Sequence, residues 1–166
     1  MPKKFSNPFE LTDLTMNISE ELKVATFRSA YHKALVNVIF TGSQLSSHFD
    51  ETLKNHFVTD IHYNILRILR GQYPSALGPT LIRQRMIRRA HQIPMQFFIA
   101  LARKGWIKGI KVMQHGIQQE YVITKEGLEL LDKIDPVTKE VEAKSMKNLT
   151  PVEAEQLSKL LDKLRG

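Results

Sequence analysis

Two neighbouring runs in the middle of the chain have an extended pattern, whereas most other segments have helical spacing. Within the second run, residues 117–123, the residues Ile117, Gln119, Tyr121 and Ile123 share one face of a strand. His115-Gly116 marks the turn back to the first run, residues 106–113. The sequence therefore predicts one β-hairpin inside a mainly helical protein.

Four helices are predicted before the hairpin. The first begins at Asn17 or Ser19 and is long, and apolar residues recur along it at helical spacing. Thr59 caps the second helix, and the third and fourth cover about residues 80–88 and 92–104. The residues expected to be buried by the third helix are Leu81, Ile82 and Met86.

Two helices are predicted after the hairpin. The first follows Thr124 and ends near Asp135-Pro136, because an interior proline removes a backbone donor. Residues 137–148 form a polar linker. The last helix begins at Thr150, with proline at its first position and a glutamate completing a capping box.

The terminal helices carry apolar stripes that the small central domain cannot cover, so a second copy of the chain is the expected partner. The predicted dimer interface consists of Val24, Phe27, Tyr31, Leu157, Leu160, Leu161 and Leu164. The predicted fold is mainly α with a small β-hairpin wing, a winged helix-turn-helix with N- and C-terminal dimerisation helices. Its four parts are an irregular arm (1–16), an N-terminal dimerisation helix (17–58), a winged helix-turn-helix domain (59–127) and C-terminal dimerisation helices (128–166).

Positive charge is concentrated in the predicted winged domain. The whole chain has a net charge of +7, but between Thr59 and Gly127 eleven basic residues face three acidic ones, a local balance of +8. Such a surface favours a polyanionic partner, and double-stranded DNA is the partner expected here. A general solubilising charge is the alternative interpretation.

Several other classes are disfavoured by the sequence. The absence of cysteine excludes disulfides and thiolate chemistry, and no serine, acid pair or glycine-rich phosphate loop indicates an enzyme. The six histidines lack metal-ligand spacing, so neither a metal nor another cofactor is expected. No apolar run is long enough to cross a bilayer, and no secretory signal is evident, so the expected location is the cytoplasm.

Five segments, taken in order and spacing, resemble the MarR (multiple antibiotic resistance regulator) family of dimeric winged-helix repressors. They are His62–Gly71, Ile82–Met86, Leu101–Ile107, Ile123–Gly127 and Leu149–Leu157. The resemblance covers about residues 18–166. It implies a homodimer that binds a palindromic DNA site, and repression that is relieved when a small molecule enters a cleft beside the winged domain.

The fourth predicted helix, residues 92–104, is the recognition helix of this fold. The positions expected to contact DNA are basic residues around this helix and the wing, together with polar residues able to contact bases. They are Arg83, Arg85, Arg88, Arg89, Gln92, Gln96, Lys108, Lys111 and His115. The sequence departs from the family at two places, because the recognition helix is apolar at Met95 and Phe97 and the wing tip lacks arginine. These departures motivate a competing hypothesis, a winged-helix dimer that binds a protein partner.

Overall fold

The computed structural model describes residues 16–87, 93–113 and 117–166, which form seven helices and one two-stranded antiparallel sheet. Two compact units divide after Gln44. The elements in chain order are α1 (Ile18–Glu21), α2 (Ala30–Lys54), α3 (Asp60–Gln72), α4 (Pro79–Arg85), α5 (Met95–Arg103), β1 (Ile107–Met113), β2 (Ile117–Ile123), α6 (Lys125–Met146) and α7 (Pro151–Arg165).

The prediction of one long first helix from residue 17 is wrong, although Asn17 does cap a helix there. That helix, α1, ends after one turn, because Lys23 adopts a left-handed conformation with φ of 52°. The Val24 amide then bonds back to the Ser19 carbonyl, which completes a Schellman ending. Helix α2 starts only at Ala30.

Two residues of the predicted dimer interface, Val24 and Phe27, therefore lie between α1 and α2 and not on a long helix. Tyr31 lies in the first turn of α2 and is 89% exposed. Helical spacing continued through residues 22–29, but Val24 is exposed there, and the local hydrogen bonds of the Schellman ending take the place of a longer helix.

The main hydrophobic core lies where α3, α4, α5, the wing and α6 meet. Thr59 caps α3 as predicted, accepting a hydrogen bond from the His62 amide. The core residues with at most 3% exposure are Ile65, Leu66, Leu69, Ile82, Phe98, Leu101, Ile107, Ile123 and Leu131. A smaller cluster of Leu53, Val58 and Ile134 joins the end of α2 to α6.

Helix α4 is shorter than predicted and buries fewer residues. It ends at Arg85 because Met86 turns to an extended conformation, and Met86 is then buried behind it. The expectation that Leu81 is buried is wrong, since this side chain is 46% exposed and the adjacent Ile82 occupies the core.

The predicted hairpin is confirmed. Strands β1 and β2 pair in register from Ile107 opposite Ile123 to Met113 opposite Ile117. Leu77, just before α4, exchanges two backbone hydrogen bonds of 2.9 Å with Tyr121. The start of the helix-turn-helix is thereby attached to the wing.

A dense junction joins the end of α5 to both ends of the wing. Gly105, with φ of 74°, ends α5 as predicted. The Thr124 hydroxyl donates a 2.6 Å hydrogen bond to the Gly105 carbonyl, and the Thr124 amide donates one of 3.0 Å to the Trp106 carbonyl. Gly127 packs so closely on the Trp106 carbonyl that there is no space for a Cβ.

Helix α6 does not end at Pro136 as predicted, and the expected polar linker belongs to this helix as far as Met146. An interior proline costs about 3 kcal/mol. Burial of a side chain such as Ile134 contributes about 1.5–3 kcal/mol, and Thr138 is also buried on this helix. Packing on both sides of the proline therefore offsets its cost.

Helix α7 begins as predicted, with Thr150 and Glu153 forming a reciprocal capping box. Its apolar stripe is uncovered, because Leu157, Leu160 and Leu164 are 42%, 65% and 64% exposed.

Candidate nucleic-acid interface

Helices α4 and α5 and the wing form the candidate interface, and two polar contacts fix the segment after α4. The Asn64 side chain on α3 accepts a 3.2 Å hydrogen bond from the Ile87 amide. The Met86 amide bonds to the Arg83 carbonyl at 3.2 Å, which closes α4. Residues 86 and 87 are therefore held in place at the end of α4.

The recognition helix α5 buries one face and exposes the other. Phe98 and Leu101 are in the core, whereas Met95 and Ile99 are 51% and 47% exposed. Gln96, which the sequence analysis assigned to a base contact, also lies on the exposed surface. The helix begins at Met95, after Pro94, and is shorter than the predicted 92–104.

The two apolar residues that the sequence singled out in this helix have different environments. Phe97 is half-buried and meets the ring of His62 edge-on, with 5.3 Å between ring centroids. Met95 is about half exposed, and its Sδ accepts a hydrogen bond from the hydroxyl of the buried Tyr121 at 3.3 Å. Tyr121 also stacks on Phe98 at 4.5 Å. Met95 is therefore held at the surface by the wing.

Burial raises the pKa of Tyr121 above its usual value of 10.0. The phenol therefore stays protonated at physiological pH and remains a hydrogen-bond donor to Met95. This contact connects the first turn of α5 directly to β2.

The two lysines of β1 lie on opposite faces of the wing. Alternation along the strand puts Lys111 on the face of Ile107 and Gly109, whose cross-strand partners are Ile123 and Tyr121. Lys108 lies on the other face. Both side chains are exposed. Lys111 therefore shares a face with Tyr121, the residue that contacts α5, and Lys108 does not.

Of the four arginines predicted to contact DNA, two lie within the described residues, Arg83 and Arg85. Arg85 is exposed and donates a 3.0 Å hydrogen bond to the Gln72 side chain at the end of α3. Arg83 is half-buried. The remaining predicted contacts lie outside the described residues: Arg88, Arg89, Gln92 and His115.

Two arginines counted in the positive charge of residues 59–127 form ion pairs within the domain. Arg70 makes two hydrogen bonds to the Asp135 carboxylate, at 2.8 and 3.2 Å, and Arg67 contacts it at 3.3 Å. The hydrogen bond from Arg70, aided by the charges of both arginines, holds the pKa of Asp135 below its usual value. These pairs join α3 to α6, so the local balance of +8 overstates the charge available to a ligand.

Lys104 is likewise part of the scaffold. Its Nζ donates a 2.8 Å hydrogen bond to the Phe57 carbonyl and lies 4.4 Å from the centre of the Trp106 ring. This contact ties the end of α5 to the turn before α3.

The side chain of His62 is half-buried, and both of its ring nitrogens lie in the interior. Neither ring nitrogen has a hydrogen-bond partner among the described residues. Burial lowers the pKa of His62 below 6.5, and Lys104 lowers it further, while Asp60 acts in the opposite direction. The imidazole is therefore held neutral beneath the recognition helix.

Sequence reasoning missed three residues of this region. Ile99 fitted the apolar pattern of a core helix, and only the packing of α5 shows that it is exposed. Asn64 carried no local signal for its contact with Ile87. Arg103, exposed in the last turn of α5, was counted as charge but not as a candidate contact.

Among the described residues, no group of three or more histidine, aspartate or glutamate side chains is arranged to hold a metal ion. In that same part of the chain, no helix combines the length and apolar character that spanning a bilayer requires.

Comparison with known proteins identifies the fold. No protein-family model matches the sequence, and the curated proteins give no match. A search of solved structures does find similar folds. A MarR-family transcriptional regulator from Streptomyces coelicolor, solved in complex with DNA, has a TM-score of 0.72 at 19% identity, covering 84% of this chain and 89% of that one.

Two further structures agree. A MarR-like transcription regulator from Bacillus cereus has a TM-score of 0.69 at 15% identity, covering 81% of this chain and 95% of that one. An organohalide-sensing transcriptional regulator in its ligand-free form has a TM-score of 0.71 at 17% identity, covering 93% and 88%. This chain is therefore a winged-helix protein, mainly α with a small hairpin. Its fold is that of the MarR-family regulators, as the sequence motifs predicted.

Replacing His62 tests its buried neutral state. Because the folded pKa is lowered, the unfolded chain binds more protons near and below pH 6.5. The stability that comes from the neutral form is complete above that pH and is lost as pH falls toward the folded pKa. We expect His62→Phe, which keeps a ring but cannot titrate, to reduce the loss of stability between pH 7.5 and 5.5, measured by urea unfolding.

His62→Gln, polar but also unable to titrate, should reduce the same pH dependence without the gain from removing two unpaired nitrogens. An unchanged pH dependence in both variants would contradict the buried neutral assignment.

Proposed function

We propose that the protein is a DNA-binding transcription regulator that acts as a homodimeric repressor at a palindromic operator. The observation that carries the proposal is the exposed face of α5, to which the wing is attached through Tyr121 and Met95, on the strand face that also carries Lys111. A helix of this kind fits the major groove while the hairpin reaches the neighbouring phosphates. The similar Streptomyces coelicolor regulator was solved in complex with DNA, which supports the same partner here.

The contacts divide into two kinds in this proposal. Gln96 on α5 reads a base edge, whereas the cationic side chains supply affinity through the phosphates. Among the predicted phosphate contacts, Arg88 and Arg89 precede α5, and Lys111 lies on the α5 side of the wing. Arg103, in the last turn of α5, joins them. The protein has no catalytic role and needs no cofactor in this account, and the cytoplasm is its proposed location.

We propose a second copy of the chain as the cover for α7. Leu157 and Leu161 line a shallow groove on α7 that extends to Met146 at the end of α6. Leu160 and Leu164 continue the apolar stripe, and both are about two-thirds exposed. In α2, Leu35 and Ile39 form another exposed stripe with Tyr31, at 52% and 63% exposure. Apolar faces of this kind are typical of homodimer interfaces.

Relief of repression by a small molecule is part of the proposal. One similar protein is an organohalide-sensing regulator, which was solved without its ligand. Tyr31, His32, His62 and Tyr63 are the candidates that the sequence offers for such a pocket, and we propose Tyr63 and His62 on α3, with a packed core around them as the alternative. The Tyr63 hydroxyl already donates to Thr138 on α6 at 3.4 Å and accepts from Arg67 at 3.1 Å.

The competing function is a protein-interaction module, and the exposure of Met95 and Ile99 is the observation that favours it. A salt series distinguishes the two. Sequence-specific shifts of DNA mobility at moderate salt support the repressor, whereas salt-sensitive binding without sequence preference supports the module.

The wing lysines provide a matched test of DNA binding. We expect Lys111→Ala to weaken binding to every duplex and to reduce the slope of log K against log salt by about one, because one phosphate contact is lost. Lys108→Ala, on the opposite face of the same strand, removes the same charge and should have a smaller effect. Both are measured by fluorescence anisotropy on a duplex selected from a random library. Equal effects of the two substitutions would contradict the placement of DNA on the α5 side.

A charge in the α7 stripe tests the dimer. We expect the wild-type chain of 19.1 kDa to sediment with twice that mass, and Leu160→Glu to sediment as a monomer, because the apolar contact would bury a carboxylate. Lys159→Glu places a carboxylate on the opposite face of α7, changes the net charge by two and breaks the ion pair with Glu155, yet should remain dimeric. A wild-type monomer at micromolar concentration, or a dimeric Leu160→Glu, would contradict the proposed interface.

A further inference from the structure

The exposed face of α5 has an unusual chemical character for a helix that enters DNA. Met95 and Ile99 lie one turn apart, both about half exposed, and Gln96 is adjacent to Met95. Within the described helix, residues 95–103, the only charged side chain is Arg103 in the last turn. The first two turns therefore present two apolar side chains and one amide.

This set of side chains discriminates among base pairs. Guanine is read by the paired donors of arginine or lysine, which the first two turns of α5 lack. Adenine is read by glutamine through N6 and N7, and thymine alone among the DNA bases carries a major-groove methyl group, which apolar side chains contact. The exposed face of α5 is therefore complementary to A·T pairs.

The wing fixes the side chain at one end of this face. The Tyr121 hydroxyl holds the Met95 sulfur at 3.3 Å, and Tyr121 itself is buried and stacked on Phe98. A flexible methionine is thereby restricted before any ligand arrives, which lowers the entropy lost when its methyl group contacts a partner.

We propose that α5 recognises thymine C5-methyl groups through Met95 and Ile99, with Gln96 hydrogen-bonded to an adenine, so that the operator half-site is built of A·T pairs. This inference rests on the proposed DNA-binding function and gives its base preference.

DNA is favoured over a protein partner by the size and surroundings of the face. A stable protein interface buries about 800 Å² on each partner, with an apolar centre and several anchors. Among the described residues of α5, only Met95 and Ile99 are exposed large apolar side chains, Gln96 is adjacent to them, and Lys111 shares a wing face with Tyr121, which contacts α5. DNA fits both the small apolar face and the nearby lysine, because it carries methyl groups in its major groove and phosphates along its backbone.

Uracil provides the direct experiment, because it pairs like thymine but lacks the methyl group. Duplexes that bind the full chain are first selected from a random library, and the tightest is then synthesised with deoxyuridine at each half-site thymine in turn. We expect A·T pairs at the positions that α5 faces, and a loss of about fourfold in affinity for each contacted methyl, the equivalent of one buried methylene.

Two variants of Ile99 test whether this side chain contacts a thymine methyl group. Ile99→Ala should lose most of the difference between thymine and uracil duplexes at one position, whereas Ile99→Leu, which keeps the apolar volume, should retain it. Both substitutions are at an exposed helical position and should leave thermal unfolding nearly unchanged.

The possible outcomes distinguish a failure of thymine-methyl recognition from a failure of the proposed DNA-binding function. Specific binding that is equally tight for uracil duplexes, or selected half-sites of G·C pairs opposite α5, would overturn methyl recognition and leave the regulator intact. Failure of the chain to prefer any duplex would instead contradict the proposed function itself. Loss of uracil discrimination in Ile99→Ala alone would support the inference.

Discussion

The carbonyl group of Trp106 is the point on which the arrangement of α5, the wing and α6 depends. It accepts the Thr124 amide where β2 ends, and Gly127 in the first turn of α6 packs against it without space for a side chain. The Thr124 hydroxyl fixes the Gly105 carbonyl, where α5 has just ended. Three elements therefore meet within a few ångströms, and the direction of the wing relative to the recognition helix follows from these contacts. A Cβ at Gly127 would require one of them to move.

This scaffold determines which cations remain available for a ligand. Lys104 ties the junction to the turn before α3, and Arg70 is held by Asp135 on α6. Both were part of the positive balance that first indicated a polyanion, yet they stabilise the domain internally. Lys111 differs, because it is exposed on the wing face that leads to α5. The cationic part of the surface proposed for DNA is thus smaller than the sequence suggested, and in the proposal the apolar side chains of α5 contribute more to specificity.

Local chemistry predicted much of the fold. The caps at Thr59, Thr124 and Thr150 and the alternation of the hairpin involve residues close in sequence, so their signals are complete within a short window. Predictions failed where distant contacts decided the outcome. Pro136 is tolerated because of packing on both sides of it, and the helix expected from Asn17 ends after one turn because Lys23 is left-handed and Val24 bonds back to Ser19. The site was predicted less completely, since helical spacing alone does not tell which apolar residues of α5 face the core.

The proposal requires that DNA contact the exposed face of α5, which is centred on Met95 and Ile99. Methyl NMR would detect this contact when a selected duplex is added to the chain with its methionine ε and isoleucine δ1 groups labelled. We expect the Met95 and Ile99 signals to shift strongly and to show contacts to thymine methyl protons, while the buried Ile65 and Ile134 signals hardly change. Saturated DNA binding that leaves the Met95 and Ile99 signals in place would contradict it.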